Sequence, residues 1–200
     1  IMLRTFKHDR LEQFASYSDV PVINGLSDSF HPCQLLADLL TYKEARGPIE
    51  NKKVVWLGDG NNMCHSYMNA ARIFSFQLVI ACPKEFTPDS EILKFSKENI
   101  LLEHDPYKAA DSADLVVTDV WASMGQENDQ KNRKEKFKKY QVNSEIMSQA
   151  KDDALFMHCL PAHRGEEVTE EVLEGSQSMV WEEAGNRLHS QKALLEFLLA

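Results

Sequence analysis

From Lys53 onward the chain alternates short apolar runs with stretches whose apolar positions repeat at helical spacing. The runs Lys53 to Leu57, Gln77 to Ala81, Ile100 to Glu103, Leu115 to Thr118 and Ala154 to His158 are rich in Val, Ile and Leu, as strands covered on both faces are. A shorter run at Ser178 to Trp181 reads the same way. Between the runs, Met63, Tyr67, Ala70, Ala71 and Phe74 fall on one helical face, and Pro88 can occupy a first turn before a helix over Glu91 to Lys97. This alternation predicts an α/β fold, a doubly wound parallel sheet with helices on both faces.

The ends of the chain differ in character. Ile1 to Thr5 reads as the interior of a strand, Pro21 to Gly25 as a strand ending in a turn, and Leu35, Leu36, Leu39 and Leu40 line a helix that starts near His31-Pro32 and stops around Arg46-Gly47-Pro48. A Leu-rich amphipathic helix closes the chain from Leu188 to Ala200 and must cover something. We expect the remnant of a second α/β domain with a connecting helix over 1–47, the main sheet domain over 48–184, and a C-terminal helix over 185–200 that returns to the first domain. A chain opening in mid-strand is expected to begin inside a domain.

Composition narrows the function. The 200 residues are 43% hydrophobic and 26% charged, an ordinary globular balance. A formal charge of −9 argues against a dedicated nucleic-acid binder, so small-molecule or protein partners are expected. Cys33, Cys64, Cys82 and Cys159 form no C-x-x-C pair, which points to a reducing cytoplasm rather than a zinc ribbon or a disulfide scaffold. No apolar stretch approaches a membrane span, and the first residues lack the form of a signal peptide.

Reactive side chains gather where strands end, the place an open α/β sheet binds ligands. Gly58-Asp59-Gly60-Asn61-Asn62 follows a strand and opens a helix, but Met63 stands where a dinucleotide fingerprint needs its third glycine, so a tight turn presenting Asn62 is expected instead. Asp119 ends the run Leu115 to Thr118; its carboxylate can hold an ammonium, or simply cap a turn. Ser123-Met124-Gly125 offers backbone amides in the loop beyond. Cys159 follows the run Ala154 to His158 as either core or reactive thiol, and the neighbouring His158, His163 and Arg164 raise a metal site for which no ligand spacing appears. His31 and Gln34, three apart at a helix start, can reach a common point and suit a polarised carbonyl and its amide. The basic run Lys131 to Lys139 reads as a solvated helix face.

Taken in order, Asn24-Gly25-Leu26-Ser27-Asp28, His31-Pro32-Cys33-Gln34, Gly58-Asp59-Gly60-Asn61-Asn62, Asp119 with Ser123-Met124-Gly125, His158-Cys159-Leu160-Pro161 and Glu183-Ala184-Gly185-Asn186-Arg187 resemble the ornithine carbamoyltransferases of the aspartate/ornithine carbamoyltransferase family along the whole chain. Cys159 and the Ser-Met-Gly piece favour the ornithine branch over the aspartate-using one, which carries Pro at the position of Cys159. The resemblance implies carbamoyl transfer from carbamoyl phosphate to the δ-amino group of L-ornithine, giving citrulline and phosphate, with no cofactor and no metal. It further implies that Arg4, His31, Gln34, Cys159, Leu160 and Arg187 contact carbamoyl phosphate, that Asn62, Asp119, Ser123 and Met124 hold ornithine, and that Asp119 and Cys159 are catalytic.

Two departures qualify the match. Gly185 stands where the family commonly has Glu, and the phosphate-gripping Ser-Thr-Arg-Thr run is absent, so most of the carbamoyl-phosphate domain is expected to be missing and the chain to turn over little alone. The resemblance implies a homotrimer, or a multiple of trimers, for the full-length enzyme. Two other readings stay open: a naturally shortened, noncatalytic amino-acid-binding or subunit-pairing protein, and a transferase using another amine such as putrescine.

Overall fold

The computed structural model describes residues 1–95, 97–122 and 130–200. Its centre is a five-stranded, wholly parallel sheet built from β3 (Lys53–Leu57), β4 (Gln77–Ala81), β5 (Ile100–Glu103), β6 (Leu115–Thr118) and β7 (Leu155–His158), in the order β5-β4-β3-β6-β7. The chain lays down β3, β4 and β5 toward one edge and then returns to place β6 on the other side of β3. The topological switch point therefore falls between β3 and β6, where an open α/β sheet binds its ligand.

Alternation along each strand sorts the core into two layers. Val55, Leu57, Val79, Val116 and Phe156 face α5 (Pro106–Ala110), α7 (Ser144–Met147) and α8 (Glu170–Leu173), while Val54, Trp56, Leu78, Ile80, Val117 and Met157 face α3 (Asn62–Phe74). The helices on both faces explain the continuous apolar strands.

A smaller two-stranded parallel sheet joins β1 (Met2–Arg4) to β2 (Ile23–Leu26), with α1 (His8–Ser16) between them. The helix α2 (Pro32–Arg46) leads from it to the main sheet, and α9 (Val180–Leu199) packs along α2. Asn186 of α9 donates to Thr41 Oγ1 at 3.0 Å and to Glu44 Oε2 at 2.8 Å, fixing the register of the two helices. Among the described residues the other α-helices are α4 (Ser90–Phe95) and α6 (Gln130–Phe137). Among the described residues no helix is long and apolar enough to cross a membrane.

Two expectations need correction. Ser178 makes only a single bridge to Phe156, and the chain turns into α9 at Val180, so Ser178 to Trp181 is not a strand. The terminal helix accordingly begins well before Leu188. The apolar positions Met179, Val180 and Trp181 that suggested a strand are a helix start, with Val180 in the core and Trp181 exposed. Pro21 to Gly25 is also displaced, since β2 runs through Gly25 to Leu26.

Two glycines that differ sharply in crowding give a paired prediction. A Cβ on Gly60 would lie 2.3 Å from Pro88 N and 2.5 Å from Thr87 C, so Gly60→Ala must push the segment before α4 away and lower the thermal midpoint. A Cβ on Gly185, inside α9, meets nothing within 4 Å. Gly185→Ala is expected to stabilise by about 1 kcal/mol through helix propensity, a rise of roughly 2–4 °C in Tm by calorimetry.

Candidate active site

The ends of β3 and β6 set the site. After β3 the chain turns through Asp59, Gly60 and Asn61, and Asn61 caps α3 by accepting from Met63 N at 3.0 Å and Cys64 N at 3.1 Å. Its Nδ2 donates to Asp119 Oδ2 at 2.9 Å, so one side chain starts the helix and holds the carboxylate beside it. Asp59 is pinned by Arg133 of α6 at 2.7 Å, with both side chains nearly buried. Arg133 also donates to Trp121 O at 2.8 Å and lies 4.7 Å over the Phe86 ring. Burial pushes the Asp59 carboxyl up against the pull of Arg133.

Asp119 leaves β6 at the switch point, and its Oδ1 accepts from Val120 N at 2.7 Å and from the Cys159 thiol at 3.1 Å. Burial, and then the negative charge of Asp119, push the Cys159 thiol well above its ordinary range. At neutral pH it is a protonated thiol, not a thiolate nucleophile. Its own hydrogen is spent on Asp119, and Cys159 lines the cleft described below. Behind it, His158 is fully buried: Nδ1 accepts from Leu160 N at 3.0 Å and Nε2 faces Glu167 Oε1 at 3.2 Å. Leu160 takes the left-handed region with φ +45°, held by that bond from its amide. Asp119, His158 and Cys159 each bring a potential metal-donor atom within 4.8 Å of the others. Both His158 nitrogens are engaged elsewhere, by Leu160 N and Glu167 Oε1, and only the Cys159–Asp119 hydrogen bond joins members of the trio.

The facing wall comes from the smaller sheet and from α2 and α9. His31 sits before α2, with its backbone N bound to Ser66 Oγ at 2.8 Å, and Arg187 Nη1 donates to Gln34 Oε1 at 2.6 Å. Burial, then the charges of Arg187 and Arg4, lower the His31 pKa from the ordinary 6.5 to about 4. His31 Nδ1 and Arg187 Nε are buried without a hydrogen-bond partner. Such unmet polar atoms at a cleft wall are what a polar ligand answers. Between the walls lies a cleft of about 870 Å³ that includes Arg4, His31, Asp119, Cys159, Leu160 and Arg187.

Most residues expected from the sequence thus meet around one cavity. Gln34 stands behind Arg187. Asn62 lines the cleft but spends its amide on Ser27 O at 2.8 Å, tying the two sheets together. Ser123 and Met124 lie outside the described residues. Sequence reasoning missed Asn61, whose place before a helix was a readable cap signal. It also missed Arg133, hidden in a run taken as a solvated face; the rest of that face does carry exposed ion pairs, Lys134 with Glu166 and Lys136 with Glu85.

This geometry has close counterparts. Residues 50–198 match the model of the aspartate/ornithine carbamoyltransferase Asp/Orn-binding domain, and residues 1–44 match that of the family's carbamoyl-P binding domain. Ornithine carbamoyltransferases of Hydrogenovibrio crunogenus and Nitrosococcus oceani are 58% and 61% identical over 200 and 199 residues, covering 100% of this chain and 66% of their own length. The crystal structure of the Burkholderia thailandensis ornithine carbamoyltransferase superposes with a TM-score of 0.92 at 51% identity, over 100% of this chain and 65% of that one. The chain thus spans about two thirds of the length of the relatives it matches. With both domain models and these relatives agreeing across nearly every residue, the chain belongs to the aspartate/ornithine carbamoyltransferase family.

Proposed function

We propose that this chain carries the ornithine-binding and part of the carbamoyl-phosphate-binding apparatus of an ornithine carbamoyltransferase, which transfers the carbamoyl group of carbamoyl phosphate to the δ-amino group of L-ornithine. The observation that carries the reading is the Asp119–Cys159 pair at the switch point, opposite a wall bearing Arg4, His31 and Arg187.

In this reading the neutral δ-amine attacks the carbamoyl carbon, the bond from that carbon to the phosphate oxygen breaks, phosphate departs, and the amine gives up a proton. The sulfur of Cys159 can accept an N–H from the amine while its own S–H points to Asp119, so a proton lost from nitrogen has a two-step path to a carboxylate. No bond forms between sulfur and carbon. Negative charge grows on the carbamoyl oxygen, and Arg4, Arg187 and a neutral His31 offer donors on the wall it faces. Asn61 and the amide of Val120 fix Asp119 beforehand, so orientation is prepared before ornithine enters. Asn62, with Ser123 and Met124, completes the ornithine side by family resemblance. A cytoplasmic setting and, for the full-length enzyme, a homotrimer or a multiple of trimers belong to the same reading and rest on that resemblance.

The decisive assay offers carbamoyl phosphate with L-ornithine, or with putrescine, to the chain joined to the N-terminal third of the Hydrogenovibrio crunogenus relative. Citrulline from ornithine, with little carbamoylputrescine, is expected; no product from either amine, or a preference for putrescine, defeats the reading. In the same protein Asp119→Asn should cut kcat/KM for ornithine by about 10²–10³-fold, the size of a lost proton acceptor, with far-UV circular dichroism unchanged.

His31 supplies a test by pH. Its folded pKa of about 4 lies below the ordinary 6.5, so the unfolded chain binds the extra proton between those values. The stabilisation is therefore complete above pH 6.5 and is lost as pH falls toward 4. The urea midpoint of His31→Gln should fall less between pH 7 and about pH 4.5 than that of the unsubstituted chain; an equal fall would contradict a neutral, buried imidazole.

A further inference from the structure

Asp38 of α2 and Glu183 of α9 lie side by side, 2% and 1% exposed, with their carboxyl groups hydrogen-bonded to each other. Each of the four oxygens also accepts a hydrogen bond from outside the pair. Gln34 Nε2 donates to Asp38 Oδ1 at 2.9 Å and to Glu183 Oε1 at 2.8 Å. The Tyr67 hydroxyl donates to Asp38 Oδ2 at 2.8 Å, and the backbone N of His158 donates to Glu183 Oε2 at 3.0 Å. Two buried carboxylates in contact cannot both ionise cheaply, so the pair holds one proton between them. Burial raises the Asp38 carboxyl to about 6 against its hydrogen bonds from Glu183, Tyr67 and Gln34, while burial and then the charge of Asp38 push Glu183 well above the ordinary carboxylate range.

This arrangement dictates the orientation of Gln34. Turning its amide over would aim the oxygen at two carboxyl groups and the NH2 at the guanidinium of Arg187, losing every bond at once. With both Nε2 hydrogens taken, Oε1 must face Arg187, where it accepts at 2.6 Å. The same carboxyl group of Glu183 holds the main chain at His158, next to Cys159. The pair therefore touches supports of both cleft walls while lining neither.

We propose that Asp38 and Glu183 act as a one-proton carboxyl pair whose role is positioning: it fixes the amide of Gln34, and through it Arg187, toward the carbamoyl group, and anchors the strand end that carries Cys159. The carbamoyl part of this proposal rests on the function proposed above. The fixing of Gln34 does not.

The test uses Asp38→Leu, which removes the acceptor, and Asp38→Asn, which still accepts from Gln34 while donating to an ionised Glu183 and so keeps the pair's total charge. Glu183→Met serves beside them should Asp38→Leu fail to fold. In the ¹⁵N-Gln-labelled chain, Gln34 should show two slowly exchanging side-chain protons that persist in Asp38→Asn and vanish in Asp38→Leu and Glu183→Met. In the extended protein used for the citrulline assay, Asp38→Leu should raise the KM for carbamoyl phosphate about tenfold or more, that for ornithine changing far less, and Asp38→Asn should restore it. Unchanged Gln34 protons in both apolar variants, or an unchanged KM for carbamoyl phosphate in a folded one, would overturn the proposal. Loss of the Gln34 signal in an enzyme that handles no carbamoyl phosphate at all would sink the assigned function and leave the positioning of Gln34 standing.

Discussion

The in-register parallel pairing of β3, β6 and β7 is the constraint on which the site depends. Leu57 pairs with Thr118 and Thr118 with His158, so the three strands end level and release Gly58, Asp119 and Cys159 at one height. A slip of one residue would shift an end by about 3.3 Å and turn its side chains to the other face. The 3.1 Å contact between the Cys159 thiol and Asp119 tolerates no such slip. What fixes the register is the two-layered core, because each strand carries large apolar side chains on both faces and a slipped strand would have to bury the polar residues at its ends.

Around that edge the fold buries several polar and charged side chains, some of them held by partners remote in sequence. Arg133 reaches Asp59 from 74 residues away, and Gln34 reaches Glu183 from 149. A buried charge without its partner is costly, so these pairs specify how α6, α2 and α9 seat on the sheet more than they add to net stability. The walls of the cleft are thereby joined: Asn62 bonds to Ser27 O across from the small sheet, and His65 does the same one helical turn on, facing Ser29 O with Nδ1 at 3.0 Å and accepting from Asp89 N at Nε2.

Local physics explains what the sequence disclosed. Runs such as Val54-Val55-Trp56-Leu57 can only be buried strands, and residues directly after them fall at the sheet edge without further information. That is why Asp119 and Cys159 could be named in advance, whereas His31 was named from its place at a helix start, three residues before Gln34. Reading failed where side chains decide. Met179-Val180-Trp181 has strand composition but begins a helix, because Glu183 and Asn186 must turn inward to meet α2. Asn61 and Asn62 are neighbours with equal claims by composition; only the fold sends one to Asp119 and the other to Ser27. Arg133 sits in a run of exposed lysines, and its burial depends on an acid and an aromatic ring on distant turns.

The protonated thiol of Cys159 also governs its redox behaviour. Thiol–disulfide exchange and alkylation proceed through the thiolate, and the carboxylate that accepts the Cys159 hydrogen also suppresses that form. Cys33, Cys64 and Cys82 are buried free thiols whose ionisation burial likewise opposes, Cys82 being pushed up to about 12. A cysteine at the mouth of a cleft is usually the part of a protein most easily lost to oxidants. Here the hydrogen bond that ties Cys159 to Asp119 holds the sulfur in the protonated form, which exchanges slowly with disulfides.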